Sequence, residues 1–312
     1  MIEYLIFVVS LAALIYGADF IINESERIAL HFNISSFVIG ASLVAFGTSL
    51  PEMAASMTAS YYHKSDMAVA NVIGSVIFNI SLVLGLVFLI AKKINPKRDL
   101  FQKDSAWGLF PVLIFTVMIS DGTISRFEGF SFLFVMLAYL VFLTNDAKEL
   151  TDEIDESLKR EKFNWIKSIV LLVIGFVLVL AGAKYTIQSA SFIARSIGVS
   201  EWVISLLLIA FGTSLPELVV SVKAARKGNA DMAIGNIIGS NVANFTMVLG
   251  GAAIINPLSI NLTASIFDIV SVLVVSVMLV FITANKLYTK SAGIVLLVMI
   301  ALVINQSLTI PH

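Results

Sequence analysis

The chain has 312 residues, 58% apolar and only 13% charged, where soluble domains carry about a quarter; with apolar runs near twenty residues it reads as a polytopic membrane protein. A net charge of −1 gives no electrostatic reason to expect nucleic acid or an acidic partner. With no cysteine, disulfides, thiolate chemistry and cysteine-ligated metals are excluded, and the redox compartment stays open.

In chain order, charged or turn-rich breaks separate ten predicted helices, at 2–22, 37–61, 67–91, 105–120, 127–144, 166–187, 202–225, 231–255, 264–284 and 291–309. Roughly 20 residues at 1.5 Å rise cross the hydrocarbon core, and most of these runs are long enough. The first, MIEYLIFVVSLAALIYG, has neither a basic leader nor a small-residue cleavage site, so it reads as a spanning helix rather than a signal peptide. The fourth and fifth are parted only by SDGTISR. Between the fifth and sixth lies the one sizeable polar connection, 145–165, with seven acids among four bases. It lacks the glycine and ligand spacing of a calcium loop, and is read as a solvated linker between segments 1–144 and 166–312. Trp107, Trp165 and Trp202 fall near span ends as interfacial anchors, and Asp19 and Lys184 are expected to snorkel toward the interface.

Lys and Arg counts set the orientation. With both termini on the non-cytoplasmic side, the inner loops hold 16 of the 20 bases, and the outer side keeps only Lys64, Arg126, Lys184 and Arg195.

The dominant organisational feature is an internal repeat. A shift of 165 residues carries AFGTSLPE (45–52) onto an identical copy at 210–217, and MAVANVIGSVIFN (67–79) onto MAIGNIIGSNVAN (232–244). Gly17-Ala18 then meets Gly182-Ala183, Leu84-Gly85 meets Leu249-Gly250, and about half the positions from 38 to 79 are identical without a gap. Five spans per half is an odd number, so the halves lie upside down relative to one another. Inverted repeats with interrupted helices are a secondary-transporter architecture whose substrate sites lie near the midplane. The expected fold is all-α, ten transmembrane helices in two inverted five-helix repeats, with broken helices at the second, third, seventh and eighth spans.

Within AFGTSLPE, Gly47 loosens the helix and Pro51 withholds a donor from the carbonyl four residues earlier. Ser49 with Glu52 has the S-x-x-E form of a capping box, so the span divides near Gly47–Ser49 and carbonyls around Ala45 and Phe46 are freed as ligands. Capping alone would not explain Glu52 and Glu217, because glutamine caps without a charge. An ionised carboxylate at membrane depth costs at least about 2.5–3.5 kcal/mol, and such residues mark ion pathways.

The second motif supplies neutral oxygens. Ser75 and Asn79 are four residues apart and share a helix face, as do Ser240 and Asn244. Asn71 and Asn236 are open between ion ligation and interhelical hydrogen bonding. Two carboxylates, the hydroxyls of Thr48, Ser49, Thr213, Ser214, Ser75 and Ser240, the amides of Asn79 and Asn244, and loose carbonyls make an all-oxygen cage. It suits calcium and sodium better than magnesium, zinc or copper. Two glutamates balance one divalent or two monovalent cations, and a site that alternates between those loads is an antiporter.

Paired GTSLPE motifs on the second and seventh spans, with GNxIGS-type motifs on the third and eighth, resemble the alpha repeats of sodium/calcium exchangers, of the calcium/cation antiporter superfamily. The resemblance implies alternating access, sodium influx driving electrogenic calcium export, and calcium held between Glu52 and Glu217. It implies sodium sites at Thr48, Ser49, Ser75, Thr213, Ser214 and Ser240 with the backbone oxygens of Ala45 and Ala210, and gating by sliding of 2–22 and 166–187. It implies no cofactor beyond the transported calcium and sodium, and a single chain is expected to suffice, since it carries both halves of the site. Asparagine at both 79 and 244 resembles the potassium-independent branch, and 145–165 is too short for a regulatory domain. A proton/calcium exchanger is the nearest rival, although its relatives carry GNxxE where this chain has GNxxGS. A hydrolase lacks a base, since His31, His63 and His312 lie in loops or at the terminus.

Overall fold

A computed structural model describes residues 2–91, 99–100, 104–146, 163–197 and 212–309. The chain runs through α1 (Ile2–Phe32), the pair α2 (Ser36–Thr48) and α3 (Leu50–Tyr61), then α4 (Ser65–Ile90), α5 (Ser105–Met118) and α6 (Arg126–Asp146). There follow α7 (Trp165–Ser196), α8 (Leu215–Arg226), α9 (Ala230–Ile255), α10 (Leu262–Ala284) and α11 (Lys290–Thr309). Among the described residues six helices are long and apolar enough to cross a membrane, seven when the bent α2–α3 pair is one span. Ser105–Asp121 and Lys290–Gln306 are apolar but shorter. The predicted seventh span is described only from Gly212 onward, and Trp202 lies outside the described residues.

The first and sixth predicted spans are too short. α1 has 31 residues and α7 has 32, because polar residues past the predicted ends find partners instead of breaking the helix. Glu24 binds Arg27 one turn on at 2.9 Å. Asp19 does not simply reach for the interface: it is held between Lys223 of α8 and Lys227 just past its end. Ser189 and Ser191 turn their hydroxyls back onto the carbonyls of Tyr185 and Ile187. At 1.5 Å per residue such helices exceed the ~30 Å hydrocarbon core, so they tilt or protrude.

α1 and α7 lie against each other along their lengths. Glycine permits the contact: a Cβ on Gly17 would sit 2.8 Å from the Gly175 carbonyl oxygen, and one on Gly175 would sit 3.0 Å from that of Gly17. Thr186 donates to Ser10 across the same seam at 2.9 Å. Val8, Tyr16 and Val177 are exposed on the outer faces, as lipid contact requires.

α4 and α9 form the centre. Their most apolar windows are 72% and 83% buried, against 33% for α1 and α7. α3 packs on α4 and α8 on α9, while α2 crosses α9 directly. Breaks were expected in the third and eighth spans, and there the chain does not break. α4 and α9 each continue for 26 residues, with π-helical turns at Asn79–Leu84 and Asn244–Leu249. A π turn takes one more residue than an α turn, re-aiming side chains without freeing the backbone. The second span breaks as expected, with a bend of 46° between α2 and α3.

The SDGTISR connection closes through Gly122 in the left-handed region (φ 80°) and a two-residue antiparallel pairing, Thr123 with Ser259 and Ile124 with Leu258. The Asp121 carboxylate accepts from the Thr123 backbone N–H at 2.9 Å and hydroxyl at 3.0 Å, which holds its carboxyl below the usual range. Trp107 lies against Tyr139 and Phe142 at 5.3 Å between ring centres, so it packs inward more than it anchors. Trp165 is half exposed beside His31, Phe32 and Phe163.

Candidate ion-binding site

The first GTSLPE copy ends one helix and begins another, and the second, described from Gly212, begins α8. Ser49 (φ −84°, ψ 7°) and Ser214 (φ −90°, ψ 7°) are the joints, followed by Leu-Pro in the first turn, where a missing N–H costs nothing. The joint is not a capping box, however: neither serine caps its own helix with its side chain. Each hydroxyl crosses to the other copy instead. Ser49 Oγ donates to Glu217 Oε1 at 3.0 Å, and Ser214 Oγ donates to Glu52 Oε1 at 3.0 Å.

The exchange brings the two acids to a common centre. Glu52 and Glu217 are fully buried, each in the first turn of its helix, where the positive end of the helix dipole favours an anion. Their Oε2 atoms are buried without a protein partner. Ser75 joins them, its Oγ lying 3.1 Å from Ser214 Oγ and 3.5 Å from Thr213 Oγ1. Among the described residues no third Asp, Glu, His or Cys makes the pair into a larger acidic or imidazole cluster, so the remaining donors are neutral oxygens.

The threonines are held by the asparagines left open above. Thr213 Oγ1 donates to Asn71 Oδ1 and Thr48 Oγ1 to Asn236 Oδ1, both at 3.3 Å. The amide nitrogens face the other way: Asn71 donates to Ser56 at 2.8 Å and Asn236 to Ser221 at 2.9 Å. Asn71 and Asn236 are thus committed to hydrogen bonds that orient the opposite copy's threonine. Ser56 and Ser221 were missed by sequence reasoning, although the same 165-residue shift superposes them.

Ala45 corrects another expectation. Its carbonyl is not freed, because it still accepts from the Ser49 N–H at 3.0 Å, with Thr48 Oγ1 3.2 Å away. Ser240 Oγ also approaches it at 3.4 Å. Pro51 withholds its donor from the Gly47 carbonyl, two residues beyond Ala45. Ala210, the matching carbonyl, lies outside the described residues.

Asn79 and Asn244 are completely buried, one turn beyond Ser75 and Ser240. Asn79 Nδ2 donates to Asn241 Oδ1 at 3.2 Å and leaves its own oxygen without a partner, while Asn244 has a protein partner on neither amide atom. Asn241 escaped the repeat comparison because its counterpart is Val76. Close packing locks the arrangement: a Cβ on Gly239 would fall 2.2 Å from the Ala41 carbonyl oxygen, so α9 and α2 meet backbone to backbone beside Ser240.

The result is an oxygen-lined centre with two buried carboxylates, suited to hard cations rather than to nucleophilic chemistry. Comparison with known proteins agrees. The family model described as "Sodium/calcium exchanger protein" matches residues 2–145 and 167–308. An uncharacterised membrane protein of Methanocaldococcus jannaschii is 38% identical, aligned over 88% of this chain and 87% of its own. The sodium/calcium exchanger MaX1 of Methanosarcina acetivorans is 30% identical over 95% of each. A solved structure of the sodium-calcium exchanger NCX_Mj, 34% identical, superposes with a TM-score of 0.83 over 97% of this chain and 98% of that one. By sequence and by fold, then, the chain belongs to the sodium/calcium exchanger family: it is a membrane transporter that exchanges calcium for another cation, and not an enzyme.

Proposed function

We propose that the chain is a secondary antiporter exchanging sodium for calcium by alternating access. Calcium is held between Glu52 and Glu217, and sodium is taken by Thr48, Ser49, Ser75, Thr213, Ser214 and Ser240 with the backbone oxygens of Ala45 and Ala210; Asn79 and Asn244 complete the cage. The observation that carries this reading is the exchange of hydrogen bonds between Ser49 and Glu217 and between Ser214 and Glu52, at full burial. Two carboxylates that share one centre, each with a bare oxygen, demand positive company before the centre can turn across the membrane. One calcium or two sodium ions meet that demand equally. A third sodium on the neutral oxygens makes the cycle electrogenic, in the direction of calcium export.

The same reading assigns two inverted five-helix repeats at 1–144 and 166–312, joined by a cytoplasmic linker at 145–165, with both termini on the non-cytoplasmic side. One chain suffices, because each half supplies one glutamate. Potassium is not a co-substrate: asparagine at 79 and 244 leaves the centre with two carboxylates only.

Calcium flux into proteoliposomes under separately imposed sodium, potassium and proton gradients tests this. An outward sodium gradient is expected to drive calcium uptake, external potassium to make no difference, and Glu52→Gln or Glu217→Gln each to abolish exchange. Uptake driven by the pH gradient alone would replace sodium by the proton as the counter-ion. Full calcium flux in Glu217→Gln would refute a shared centre.

A further inference from the structure

Asn79 and Asn244 hold equivalent places in the two halves, and each opens a π-helical stretch, yet their surroundings differ. Asn79 is clamped by its nitrogen to Asn241 Oδ1 at 3.2 Å, whereas Asn244 has no protein hydrogen bond on either amide atom. The clamp has no counterpart in the repeat, since the residue equivalent to Asn241 is Val76, which carries no acceptor.

An asparagine amide is a cation ligand at one end only. Its oxygen attracts the ion and its NH2 repels it, and the two ends exchange by rotation about a single bond. We propose that Asn241 is a positioning residue: by accepting from Asn79 Nδ2 it holds the amide so that Oδ1 is the end presented to the transported ion. The unpartnered, fully buried oxygen of Asn79 is the second observation, because a buried acceptor left bare needs an explanation. Asn241 offers the ion nothing itself. Its oxygen is spent on Asn79, and its other atom is an NH2 group. The two halves therefore contribute unequal amides, a preset oxygen from Asn79 and an adjustable one from Asn244, and the ion affinity of the centre depends on the first being fixed.

This rests on the exchanger reading, and the test separates the two. Asn241→Val installs the residue of the other half, while Asn241→Thr has nearly the same volume and keeps an acceptor oxygen. Equilibrium binding of radioactive calcium to the purified protein is expected to weaken about fivefold in N241V and to stay near wild type in N241T, as loss of one buried hydrogen bond implies. The thermal midpoints of the two variants are expected to match. In a background of Asn79→Ala, N241V is expected to cost nothing further, as it acts only through that amide. Equal losses in N241V and N241T, or an undiminished loss in the Asn79→Ala background, overturn the assignment. Should N241V not fold, Asn241→Ala against Asn241→Ser poses the same question. Absence of calcium binding by the wild type overturns the exchanger reading itself; wild-type binding with unchanged N241V affinity overturns only the role of Asn241.

Discussion

Ser49 and Ser214 show how a residue's task depends on what lies across from it. In isolation S-x-x-E is a helix start, and its serine spends its hydroxyl on a backbone N–H one turn on. Here that hydroxyl donates to a buried carboxylate of the other half, because an unpaired acceptor on Glu217 or Glu52 is more costly at full burial than a loose helix end. Hydrogen bonds to charged groups contribute roughly 1.5–3 kcal/mol, so removing one perturbs the acid that binds the ion. Ser49→Ala and Ser214→Ala are each expected to weaken calcium affinity about tenfold, which corresponds to ~1.4 kcal/mol. Equilibrium calcium binding checks this, and the two losses are expected to be similar because the geometry is mirrored. A loss in one variant with none in the other would mean that the two bonds are not equivalent in the working protein.

At the scale of elements, the order of helices and the joint inside AFGTSLPE were legible, since both follow from hydropathy breaks and from proline and glycine chemistry. The ends of α1 and α7 were not, because Glu24 is tolerated within a helix only through Arg27, and a partner does not show in hydropathy. The π-helical turns were illegible for a related reason: Asn79–Leu84 and Asn244–Leu249 carry no helix breaker, and the widening is set by packing around α4 and α9. Of the site, most members repeated at the 165-residue offset were found, though Ser56 and Ser221 were missed, while Asn241 breaks the repeat and gave no signal. Packing also explains Gly239, whose absent Cβ lets α9 meet the Ala41 carbonyl. Gly239→Ala has no flexible side chain to displace there, only backbone, and overpacking of this kind costs about 1–3 kcal/mol. The variant is expected to lower the thermal midpoint in detergent and to reduce calcium binding along with it, since Ser240 is the next residue. An unchanged midpoint would show that α2 and α9 can separate at no cost.

For the whole molecule, the proposed inversion of the two halves has a consequence for sidedness. If each half holds five spans, as proposed, the connection at 145–165 faces the side opposite to both termini, and the Lys and Arg asymmetry predicts the cytoplasmic side for it. The chain is suited to a direct check because it contains no cysteine, so any introduced thiol is the only one. Ser157→Cys, in the linker, is expected to react with a membrane-impermeant maleimide only after cells are opened. Glu3→Cys, partly exposed near the start of α1, is expected to react in intact cells. Labelling of both positions from the same side would require an even number of crossings between them. Each half would then contain a span too few or too many for inversion, and Glu52 and Glu217 would approach their centre from the same side of the membrane rather than from opposite ones.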